Sequence, residues 1–137
     1  MRVEEVIRYN QIVKDIFEHT SIDGTLKFRF LQMAKQFAPV VENFDQVKQE
    51  ILQKYSETKP DGRSGIFMPV REDYDSDEAY NAAVTDYQDK IKKFEADLTP
   101  VLNEDVTIEI KKFKSNEIMN SGIPLEALLI LYDFIEE

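Results

Sequence analysis

The stretch Arg71-Glu72-Asp73-Tyr74-Asp75-Ser76-Asp77-Glu78 carries five carboxylates within seven residues, a density that could hold a cation. Asp73, Asp75 and Asp77 stand at alternate positions, as in the opening of an EF-hand calcium loop. The rest of that pattern is missing. Glu78 stands where a glycine must make the sharp turn, and Val84 stands where a bidentate glutamate must close the shell. The same residues satisfy the needs of a helix start. Asp75 is an acceptable N-cap, Glu78 follows three residues later as in a capping box, and acids in a first turn face the positive end of the helix dipole. The stretch is therefore read as a helix start without a metal. Asp73, Asp75, Asp77 and Glu78 then become a surface for a partner with a basic face.

Other chemistry finds less support. The single imidazole, His19, falls in the last turn of a predicted helix, where a cation suits the dipole. Nothing in the spacing sets a hydroxyl and an acid beside it, so no nucleophilic triad is proposed. The DGRSG stretch lacks the spacing of a phosphate loop and the lysine and hydroxyl that should follow it. With no cysteine there is neither a thiolate metal site nor a thiol nucleophile. The chain is not expected to be an enzyme, and no cofactor is expected. One basic grouping stands apart: Lys111, Lys112 and Lys114 end one predicted strand, and Arg63 and Arg71 lie near its predicted partner. Paired strands would gather these five cations into an anion pocket, and the chain would then sequester a nucleotide-like ligand.

The elements that must position these residues follow from apolar periodicity. Val3, Val6, Ile7, Ile12, Val13, Ile16 and Phe17 predict an amphipathic helix over residues 2–18. Phe30, Met33, Phe37, Val40, Phe44, Val47 and Ile51 predict a longer one over 25–56, with a kink or break near Lys35 to Ala38 caused by Pro39. Tyr80, Tyr87 and Phe94, with Val84, Ile91 and Leu98, draw a stripe along a third helix over 76–98, stopped at Thr99 and Pro100. The two long helices are expected to fold back antiparallel, burying Phe30, Phe37 and Phe44 against Tyr87 and Phe94. Ile66 to Val70 and Val106 to Ile110 are expected to pair as a two-stranded ribbon. Ser115 should cap a short turn closed by Gly122, and Pro124 should open a buried final helix reaching Glu137. The predicted fold is α+β and mainly α, a single domain over 1–137. It comprises an antiparallel long-helix hairpin, an N-terminal helix, a small two-stranded antiparallel β-ribbon and a buried C-terminal helix.

Length and charge bound the function. The 137 residues, 42% of them apolar, suffice for one core. A net charge of −10 opposes direct nucleic-acid binding, which rests on clustered cations. Residues 25–56 form the one basic segment, so their packing partner should be acidic. No apolar run approaches a membrane span, and the chain is expected to be soluble and unexported. On the third helix Asp86 faces Lys90 and Asp89 faces Lys93 one turn on, which neutralises much of its charge and opposes a long phosphate-like array.

From about residue 76 onward, Leu102, Asn103, Glu104, Asp105 and Val106 lead into Ile108 and Ile110 and then a closing helix. This layout resembles the end of small acidic accessory proteins encoded by tailed bacteriophages. No catalytic residues come with the resemblance. It implies a viral accessory protein in the cytoplasm of an infected bacterial cell. The expected function is non-catalytic protein binding, as an inhibitor or adaptor of a host or viral protein, of the anti-defence type. The alternatives are the nucleotide-sequestering protein and a structural or assembly component of a virion that self-associates.

Overall fold

The structure is a computed structural model that describes residues 1–119 and 121–136. Helix α1, Val3–His19, turns Val3, Val6, Tyr9, Val13 and Ile16 inward at steps of three and four. Its first turn is closed by the Glu5 carboxylate, which accepts from the Arg2 backbone N–H and from Arg2 Nε. The Arg2 side chain thereby holds Glu5 below the usual carboxylate range. Helix α2 spans Gly24–Tyr55. Asp23 caps it, accepting the Leu26 backbone N–H at 2.9 Å. It runs through Pro39 as one helix, so no break forms there.

After α2 the chain makes a tight antiparallel pair, β1 (Glu57–Thr58) with β2 (Ser64–Gly65). Its connection carries Gly62 at φ 90°, a left-handed conformation that glycine adopts without a Cβ clash. A 3₁₀ turn at Arg71–Asp73 leads to α3, Asp77–Leu102. An extended segment then reaches β3 (Phe113–Lys114), α4 (Ser115–Ile118) and α5 (Leu125–Ile130). A second 3₁₀ turn, Tyr132–Phe134, precedes β4 (Ile135–Glu136), which pairs parallel with β3.

The chain divides into two compact units, Met1–Asn43 with Asn103–Glu137, and Phe44–Leu102. The first contains a continuous core built from α1, the first part of α2 and the C-terminal elements. Tyr9 meets Phe134 edge-on at 4.8 Å between centroids, and Phe30 meets Phe113 at 5.0 Å. Arg29 clamps the extended segment onto α2. Its guanidinium lies 4.1 Å over the Phe113 ring, pairs with Glu117 and donates to the Lys111 and Lys112 carbonyls. In the second unit the end of α2 meets α3 as a helical hairpin. Lys54 and Tyr55 reach Asp97, and Phe44, Val47, Ile51, Tyr87, Ile91, Phe94 and Leu98 are half-buried.

The fold is thus α+β and mainly α, with several corrections of detail. Phe30 and Phe37 do not pack on Tyr87 and Phe94; they belong to the first unit's core, where Tyr9, Phe17 and Phe113 meet them. The helical stripe gave their periodicity but not their partner, and one helix serves both units. Helix α3 does not stop at Thr99 and Pro100 but continues to Leu102. The ribbon between residues 66–70 and 106–110 does not form. Pro69 offers no backbone donor there, and the observed antiparallel pair lies in the turn just before it. Residues 106–110 do alternate, with Val106, Ile108 and Ile110 against the core and Thr107 and Glu109 exposed. On one side, however, Val106 pairs with Met1, and Gln36 binds the Glu109 carbonyl. The final helix is short and buried on one side only. Leu128 faces the core while Leu125 and Leu129 are exposed, and Pro124 precedes its first residue rather than occupying it. Glu137, its expected last residue, lies outside the described residues.

Candidate functional site

The acidic stretch does open a helix, one residue later than expected. Ser76 is the cap of α3: its hydroxyl accepts the Ala79 N–H at 3.1 Å, and its carbonyl accepts the Tyr80 N–H. Asp75 precedes it, and Asp77 and Glu78 fill the first turn. Asp73 ends the 3₁₀ turn before them. All four carboxylates are exposed. Arg71 Nε pairs with Asp77 at 2.8 Å while its other end donates to the Tyr74 carbonyl, which ties the turn to the helix. Among the described residues, Asp73, Asp75 and Glu78 have no cation within ion-pair distance. No group of three His, Cys, Asp or Glu converges to hold a metal among the described residues.

Beside this segment the chain from Glu57 to Tyr74 folds against α3 and leaves a cavity of about 410 Å³. Four aromatic residues, Tyr55, Phe67, Tyr74 and Tyr87, line it, and so do Met68 and Val70, with 69% and 49% of their surface open to solvent. Its charged lining is mixed. Lys59 Nζ sits 4.4 Å over the Phe67 ring, and Lys90 Nζ pairs with Asp86 at 3.2 Å. Glu57 and Asp73 also line it, and among the described residues neither has a cation partner. Sequence reading missed this cavity, because it depends on how residues 57–74 lie on α3. The only available signal was the run of Ile66, Phe67, Met68 and Val70 interrupted by Pro69.

The five expected cations are not brought together by strand pairing. Arg63 and Arg71 belong to the second unit and each has an acid of its own: Arg63 Nε lies 2.7 Å from Asp61, and Arg71 is held by Asp77. Hydrogen bonds from the Arg63 backbone and side chain hold Asp61 below the usual carboxylate range. Lys111, Lys112 and Lys114 are exposed in the first unit, the first two just before β3 and Lys114 at its end. His19 stands in the last turn of α1, exposed, with Glu18 at 3.9 Å.

Comparison with family models, curated proteins and solved structures finds no match for the chain. No helix is long and apolar enough to cross a membrane among the described residues.

Proposed function

We propose that this chain is a non-catalytic protein-binding protein that meets a basic surface on its partner through Asp73, Asp75, Asp77 and Glu78. One observation carries the reading. The four carboxylates are exposed on a segment held by the Ser76 cap and the Arg71 contacts, and one of them, Asp73, lines the same cavity as the exposed apolar side chains of Met68 and Val70. Apolar anchors flanked by charge are what a protein interface needs: the anchors supply affinity, and the charges supply steering and register. Among the described residues, only Asp77 of the four has a cation partner, so the rest of the charge is available to a partner. The resemblance to phage accessory proteins favours a host or viral protein as that partner, with inhibition or adaptation as the mode of action.

The test is affinity capture from the bacterial host, with the native chain and with a variant in which Asp73, Asp75, Asp77 and Glu78 are all replaced by lysine. The native chain should retain a basic protein whose recovery falls as salt rises, and the variant should lose it. Equal recovery by both chains, or a nucleotide released on heating in place of a protein partner, contradicts the proposal.

A further inference from the structure

Resting on the protein-binding reading, we propose that the cavity between residues 57–74 and α3 receives an arginine side chain of the partner. The walls suit a guanidinium. It is planar and stacks on aromatic faces, and Tyr55, Tyr74 and Tyr87 are among the lining residues. Its five N–H donors match carboxylates, and Glu57 and Asp73 line the same space without a cation of their own.

The two lysines in the lining do not argue for an anionic ligand. Lys90 is paired with Asp86, and Lys59 is a single positive charge against Glu57 and Asp73, so the lining as a whole stays negative. A phosphate or carboxylate entering here would meet three carboxylates, Glu57, Asp73 and Asp86, against two lysines. The Phe67 ring is already engaged by Lys59 at 4.4 Å and Arg63 at 5.6 Å, so an incoming guanidinium is assigned to the tyrosines of the lining. The volume of about 410 Å³ lies in the range of ordinary small-ligand pockets, roughly 300–1,000 Å³. Met68 and Val70 then cover the stem of the incoming side chain, and Asp75 and Glu78 lie near in sequence to meet neighbouring cations of the same basic surface. Asp73 belongs to both the cavity and the acidic segment, so anchor and steering surface share a residue.

The experiment titrates the isotope-labelled full chain with N-acetylarginine amide, with its neutral citrulline counterpart and with AMP, following resonances of Tyr74, Ala83 and Tyr87. The arginine amide should give saturable shifts at these residues. The citrulline amide should bind about tenfold more weakly or worse, and Asp73→Asn, which keeps the side-chain shape, should weaken the arginine amide by a similar factor. Citrulline binding as tightly as arginine overturns the assignment, as does AMP binding there or an absence of shifts with every probe. If the four-lysine variant loses the partner while the arginine amide leaves the cavity silent, the protein-binding reading survives and the arginine pocket fails.

Discussion

The Tyr55 hydroxyl donates to Asp97 Oδ2 at 2.5 Å, and Lys54 Nζ lies 3.3 Å from the same oxygen. The hydrogen bond from Tyr55, aided by Lys54, holds the Asp97 carboxyl below its usual range; the same bond holds the Tyr55 hydroxyl above its own, and Asp97 raises Lys54. A depressed acid contributes stability above its unfolded pKa and loses it as pH falls through the folded value. A raised tyrosine or lysine contributes below its unfolded pKa and loses it as pH rises through the folded value. The stability gap between the native chain and Tyr55→Phe should therefore be widest between about pH 5 and pH 9 and narrow toward both extremes. Urea unfolding at acid, neutral and alkaline pH measures it, and a gap constant across pH would contradict the assignment. This contact joins residues 42 apart, and nothing in their local sequence announces it. The pairs Asp86 with Lys90 and Asp89 with Lys93 were legible because one helical turn fixes their meeting, and they stand at 3.2 and 2.9 Å. Asp89 raises Lys93 through that bond.

At the scale of elements, Pro39 shows how far tertiary packing overrides a local rule. A proline inside a helix removes a donor and crowds the carbonyl one turn back. Yet α2 continues, with Phe37 buried before it and Val40 and Val41 packed against the core after it. Pro39 itself is exposed. Pro39→Ala should therefore stabilise the protein by about 1–3 kcal/mol, since it restores a hydrogen bond and removes no buried surface. Chemical denaturation checks this; a loss of stability would show that the proline's geometry is required by the packing around it. The three long helices were readable because an apolar repeat of three and four residues can be satisfied only by a helix with one buried face. The strands were not. Val106 to Ile110 does alternate in burial, but a strand's partner lies elsewhere in the chain, and here the neighbours are Met1 and side chains of α2. The helix start at the acidic stretch was legible in type. Its exact cap was not, because the Ser76 hydroxyl and the Asp75 carboxylate are both competent acceptors one residue apart.

On the scale of the whole molecule, every buried hydrophobic side chain among the described residues belongs to the first unit, Met1–Asn43 with Asn103–Glu137. The second unit, Phe44–Leu102, holds its apolar residues half-buried and contains both the acidic segment and the cavity. This division gives the two units different physical roles. Edge-on aromatic pairs hold the first unit's core, while the second unit leaves its acidic segment and part of its apolar surface open to solvent. It also explains what one sequence could not disclose: both units draw on a single continuous apolar stripe along α2, so the stripe alone does not say where one core ends. The most direct measurement of the central claim is backbone hydrogen exchange on the free chain and on the chain bound to its captured partner. The account predicts new protection at residues 66–80, over Met68, Val70 and the acidic turn, with little change elsewhere. Protection confined to residues 107–114 or to 125–132 would contradict it.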